Sequence, residues 1–149
     1  MRSILLWTVA CCSLATQALA WGPDGHSIVA EIAQREVSLP TREAIDKLLQ
    51  HRTLASISAW ADDVKFTDHP ETYPWHFTDM PLKNEKYSPT DCHWLDKKTN
   101  TEYRTCLNTA LEELKTQVKC AASDDAKRDA LRYIVHLVGR CVATAPYRR

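Results

Sequence analysis

The sequence predicts a mainly α protein. Apolar residues recur at three- and four-residue spacing in five stretches, and no stretch alternates strongly enough to read as a strand. The long segment 66–100 is irregular, because Pro70, Pro74, Pro81 and Pro89 interrupt any extended element.

Residues 1–20 read as a secretory signal. Arg2 gives the positive start, Ile4 to Ala15 is mostly apolar, and Ala18-Leu19-Ala20 is a small-residue cleavage site. The apolar run is too short for a stable membrane span. The mature chain is therefore expected to begin at Trp21. Asp24 is expected to cap a first helix with Ile28, Val29, Ile32, Ala33 and Val37 on one side. Pro40-Thr41 opens a second helix that turns Ile45, Leu48 and Leu49 inward, and Leu54 to Val64 is a third, with Ile57, Trp60, Ala61 and Val64 in helical register. A fourth spans about Glu102 to Val118, with Leu107, Ala110, Leu111, Leu114 and Val118 on one face. Ser123, Asp124 and Asp125 start a fifth, which carries Ala130, Leu131, Ile134, Val135 and Val138. Residues 140–149 show no periodicity, and five apolar helix faces call for more partners than these elements offer each other.

Nineteen basic and nineteen acidic residues balance to a formal net charge of zero. That argues against a protein held to nucleic acid by a basic surface. It leaves room for an enzyme that grips phosphate through bound cations. Cys11 and Cys12 lie in the signal; Cys92, Cys106, Cys120 and Cys141 remain, an even number suited to an oxidising compartment. Cys92 and Cys106 flank the polar turn-like stretch Asp96-Lys97-Lys98-Thr99-Asn100 and are the favoured pair, although four cysteines allow three connectivities.

His26, Asp62, His76 and His136 are candidate ligands for zinc, which takes imidazole nitrogen and carboxylate oxygen. Singly, each reads more readily as an ordinary core or surface residue, since no H-E-x-x-H or paired C-x-x-C occurs. His51, His69 and His93 lie in polar contexts and carry no such expectation. Trp21 adds another donor set. Its α-amino group, with a pKa of about 7.7–8.0, and its carbonyl can chelate a metal once the signal is removed.

The order of four blocks sharpens this reading. Trp21-Gly22-x-x-Gly25-His26 follows the cleavage site; then come Leu54-Ala55-Ser56-Ile57-Ser58-Ala59-Trp60-Ala61-Asp62, Trp75-His76-Phe77-Thr78-Asp79, and Ala130-Leu131-Arg132-Tyr133-Ile134-Val135-His136-Leu137-Val138-Gly139. This succession resembles the secreted trinuclear-zinc nuclease family. That family comprises fungal single-strand nucleases, plant bifunctional nucleases and 3′-nucleotidase/nucleases, and is related in fold to zinc phospholipase C. The resemblance implies a multi-helix enzyme that hydrolyses phosphodiester bonds in single-stranded DNA and RNA, with removal of 3′-phosphates as a related activity. It implies that Trp21 and His26 bind one zinc and that Asp62, His76 and His136 bind a second. It places Lys65 beside the scissile phosphate, where the family often has arginine, and Phe77 and Asp79 at the nucleobase. Asp62 and Lys65 would act directly in catalysis. The implied setting is secreted or periplasmic, with a monomer acting on single-stranded nucleic acid and nucleotides, away from any membrane.

The pattern breaks after Gly139. The family continues Asp-x-x-Gln-Pro-Leu-His, supplying a bridging aspartate and a ligand of the third zinc; position 140 here is Arg. One set of codons for residues 140–147, shifted by one base, reads Asp-Val-Ser-Gln-Pro-Leu-His. The expectation is a signal over 1–20, the amino-terminal part of a zinc nuclease domain over 21–139, and a frameshifted tail over 140–149. Such a chain is truncated on its carboxyl-terminal side, keeps at most two partial zinc sites and has little activity. The alternatives are a non-catalytic secreted zinc-binding helical fragment and a phosphomonoesterase or phospholipase-like hydrolase on the same scaffold.

Overall fold

The computed structural model describes residues 22–78 and 92–144. Trp21, Asp79, the signal segment and residues 145–149 lie outside that range. Among the described residues the architecture is mainly helical, and no helix is long and apolar enough to cross a membrane.

The first helix, α1 (Pro23–Glu36), starts at Gly22 with Pro23 in its first turn. Asp24 makes no side-chain cap, contrary to expectation. It lies within the first turn, where its charge complements the positive end of the helix dipole. The expected apolar face is also displaced. Ile28 and Ile32 are 58% and 56% exposed, and α1 instead buries His26 and Ala30.

Helix α2 (Leu39–Leu48) begins slightly before Pro40, with the Ser38 hydroxyl accepting from the Thr41 amide at 3.4 Å. The expected single helix over 54–64 is two: α3 (Leu54–Ile57), capped by Thr53, and α4 (Trp60–Val64). The break coincides with a long-range contact. In a continuous helix the Ser58 carbonyl would accept from the Asp62 amide. Here that amide bonds to Ala59, and the Ser58 carbonyl accepts from the His136 ring.

The segment expected to be irregular holds a 3-10 turn and the first strand of a hairpin. A 3-10 turn covers Pro70–His76. Strands β1 (Trp94–Asp96) and β2 (Thr101–Tyr103) form an antiparallel hairpin in the register Trp94↔Tyr103, Leu95↔Glu102, Asp96↔Thr101. Asn100 takes a left-handed φ of 55° in its turn. Cys92 and Cys106 close the foot of the hairpin as a disulfide. Because β2 occupies 101–103, α5 (Leu107–Cys120) starts later than expected.

Helix α6 (Asp124–Thr144) is capped by Ser123, whose hydroxyl accepts from the Ala126 amide at 3.2 Å, and it continues beyond Gly139 through Arg140. It runs between two cores. On one side Ala61, Val64, Leu107, Ala110 and Leu114 pack with Ala130, Tyr133 and Leu137; on the other, Ala30, Leu49, Leu54 and Ile57 meet Leu131 and Val135.

Candidate metal centre

Four elements bring one side chain each to a common point. His26 comes from the first turn of α1, Asp62 from α4, His76 from the end of the 3-10 turn and His136 from the middle of α6. His26, His76 and His136 are 1%, 3% and 0% exposed. One potential ligand atom from each of His26, Asp62 and His136 lies within 4.8 Å of the others. His76 approaches the same carboxylate, with Nε2 3.6 Å from Asp62 Oδ1; His136 Nε2 is 3.5 Å from that oxygen. The imidazoles of His26 and His136 stack at 4.1 Å between centroids. Asp62 is thus common to the group with His26 and His136 and to the approach of His76 and His136 to its Oδ1.

The hydrogen bonds set the tautomers. His136 Nδ1 lies 2.8 Å from the Ser58 carbonyl and His76 Nδ1 lies 3.1 Å from the Thr72 carbonyl. A carbonyl only accepts, so both Nδ1 atoms carry the proton and both Nε2 atoms keep a lone pair. Those buried Nε2 atoms have no hydrogen-bond partner among the described residues. Fixing one ring nitrogen on a carbonyl while the other faces inward is the arrangement typical of ligating histidines. With the Asp62 carboxylate, this donor set fits a zinc-like cation.

The charges are consistent with neutral rings. Burial, with the Lys65 charge adding to it, pushes His76 down to about 4. Burial likewise pushes His136 down to about 4. Burial also lowers His26, against the pull of Asp62, and the Arg140 charge adds to the lowering. For Asp62, burial acts upward but is outweighed by the Lys65 hydrogen bond and the His136 charge, so its carboxyl titrates below its ordinary value.

One prediction follows from these shifts. A histidine whose folded pKa is depressed contributes stability that is present above about 6.5 and is lost as pH falls toward 4. His76 and His136, which face each other and the same carboxylate, are therefore expected to lose this contribution together as pH falls through that window. Thermal melts of chelator-treated protein from pH 8 to pH 4 check this; a flat melting temperature across that range would contradict it.

Lys65, one turn after Asp62 on the chain, forms an ion pair with Asp62 Oδ1 and is 14% exposed. Phe77 is 38% exposed and lies at the rim, its ring 5.2 Å from that of Tyr73. Arg140 also faces the centre. Its guanidinium lies 5.6 Å from the Phe77 ring centroid and donates to the His76 carbonyl at 3.3 Å. Trp21 and Asp79 lie outside the described residues, so their places at this centre are not described.

The sequence reading missed Ser58 and Thr72. Both act through backbone carbonyls that orient a histidine, and a carbonyl has no side-chain signature. It also gave Gly139 no role, although that glycine lies against His26.

Residues 21–141 match the S1/P1 nuclease family. Nuclease S1 of Aspergillus oryzae is 28% identical over 143 residues, covering 93% of this chain and 48% of that protein. Endonuclease 2 of Arabidopsis thaliana is 30% identical over 128 residues, covering 80% and 42%. Nuclease P1 of Penicillium citrinum is 30% identical over 124 residues, covering 80% and 44%. The chain spans about half the length of these curated relatives.

Proposed function

The chain belongs to the S1/P1 nuclease family, and from that premise we propose that its buried histidine–aspartate centre holds zinc and serves the hydrolysis of phosphodiester bonds in single-stranded DNA and RNA, with 3′-nucleotidase activity alongside. The observation that carries this reading is the convergence of His26, His76 and His136 on Asp62, with open Nε2 atoms on His76 and His136. In this proposal His26, Asp62, His76 and His136 hold the metal, and Trp21 adds its terminal amine and carbonyl once the signal is cleaved. Bound zinc supplies Lewis acidity toward phosphate oxygens and lowers the pKa of water.

The chain's own residues supply the rest. Lys65 offsets charge on the non-bridging phosphate oxygens, as a point charge without the bidentate fork of arginine. Phe77 offers an exposed ring on which any base can stack, and Asp79 hydrogen-bonds that base. Stacking on a base face favours single strands, because duplexes hide those faces. The setting is secreted or periplasmic and the acting species a monomer.

One observation favours a second reading, a zinc-binding protein without catalysis. Arg140 brings a permanent positive charge to the centre where the resemblance implies a carboxylate. The test is expression with its leader, determination of the mature terminus and zinc content, and hydrolysis of a labelled single strand with and without chelator. Zinc with chelator-sensitive cleavage supports the nuclease reading. Zinc without cleavage supports the second reading, and absence of zinc overturns both.

A further inference from the structure

We infer that Gly139 is a positioning residue for His26: its missing side chain is what allows α1 to lay that imidazole against α6, stacked on His136 and over Asp62. A Cβ at position 139 would come within 2.5 Å of His26 Nδ1, 3.4 Å of Cε1 and 3.5 Å of Cγ. The nearest of these is closer than Cβ atoms approach any neighbour, and all belong to one ring that has little freedom to retreat. His26 is 1% exposed and its other face is taken by His136, whose ring lies 4.1 Å away at an interplanar angle of 23°.

Glycine is a poor choice in the interior of a 21-residue helix, where alanine is intrinsically better. No left-handed backbone calls for it, since no described glycine has positive φ. The local reason for glycine is the ring across from it. His136 and Gly139 lie three residues apart and so on one face of α6. The same helix face carries one imidazole and seats another, so the spacing of the two rings is set within a single turn.

The inference rests on the metal reading for its functional consequence, and the experiment separates the two. Four full-length proteins are compared: the parent, Gly139→Ala, His26→Ala and the double variant. Each is measured for melting temperature in chelator, for the ring resonances of His136, and for zinc affinity. Gly139→Ala alone is expected to lower the melting temperature, to move the His136 resonances out of their stacked environment and to weaken zinc binding by about tenfold or more. In the His26→Ala background the same substitution is expected to be neutral or stabilising, because the ring it strikes is gone and helix propensity favours alanine. If Gly139→Ala alone fails to fold while the double variant folds, the inference holds. Equal loss in both backgrounds, or no change in the His136 resonances, would overturn it. A parent that binds no zinc would remove the metal reading and leave the melting and resonance comparison to decide the placement.

Discussion

Replacing His136 with Ala is expected to abolish zinc retention and to lower the stability of the metal-free protein. The second effect does not depend on any metal. The ring is 0% exposed, stacks on His26, lies 5.0 Å from the His76 ring and donates to the Ser58 carbonyl. Truncation leaves a cavity beneath α6 and a carbonyl that the surrounding helices do not otherwise use. Large-to-small changes at such sites cost about 2–5 kcal/mol, and an orphaned buried acceptor about 1–3. The two overlap, so a loss of about 3 kcal/mol is the expected size, or roughly 10 °C in melting temperature for a domain of this length. If the centre holds zinc as proposed, the parent should gain further stability with zinc and lose it with chelator, while the variant should show neither response. Melting curves of both proteins, with zinc and with chelator, test this. A parent whose curve ignores chelator would overturn the metal reading of His136.

Arg140→Asp is expected to raise zinc affinity by about tenfold or more. Arg140 lies one turn after His136 on α6, donates to the His76 carbonyl and lowers the basicity of His26 and His76 through its charge. Two unit charges several Å apart interact by about 1–3 kcal/mol at an effective dielectric near 20, and a tenfold change needs only about 1.4. The substitution removes a repulsion and adds an attraction. Arg140→Gln should fall between, because it removes the charge while keeping a donor for the His76 carbonyl. Competition titrations with a chromogenic chelator measure the three affinities. A common value for all three would show that the guanidinium does not act on the metal.

The fold was legible where spacing alone decides it. In α5, Leu107, Ala110 and Leu114 are buried as their spacing implies, and so is Ala130 in α6; but Leu131, Ile134 and Val135 are only half-buried, and Val138, read as inward, is 42% exposed because α6 turns Tyr133, His136 and Leu137 inward instead. Elsewhere the deciding contact lies far along the chain. In α1, spacing marked a helix but chose Ile28 and Ile32 for its buried face, because the true face carries a histidine. The break between α3 and α4 depends on a residue 78 positions away. Three-residue strands such as Trp94–Asp96 are too short for alternation to register. For the centre, no single spacing singled out His26, Asp62, His76 or His136; the order of four motifs did. Ser58, Thr72 and Gly139 stayed invisible because two act through backbone and one through a missing side chain.

The break at Ser58 also bears on when the centre can form. The carbonyl that fixes the His136 tautomer belongs to an early element, and the ring belongs to the last described helix. On the ribosome, α3 and α4 emerge long before His136 exists to claim that carbonyl. In the folded chain that carbonyl, left over between α3 and α4, is where the His136 ring is seated. A chain that stops before residue 136 lacks both the ring that claims the Ser58 carbonyl and the imidazole nitrogen that lies 3.5 Å from Asp62 Oδ1.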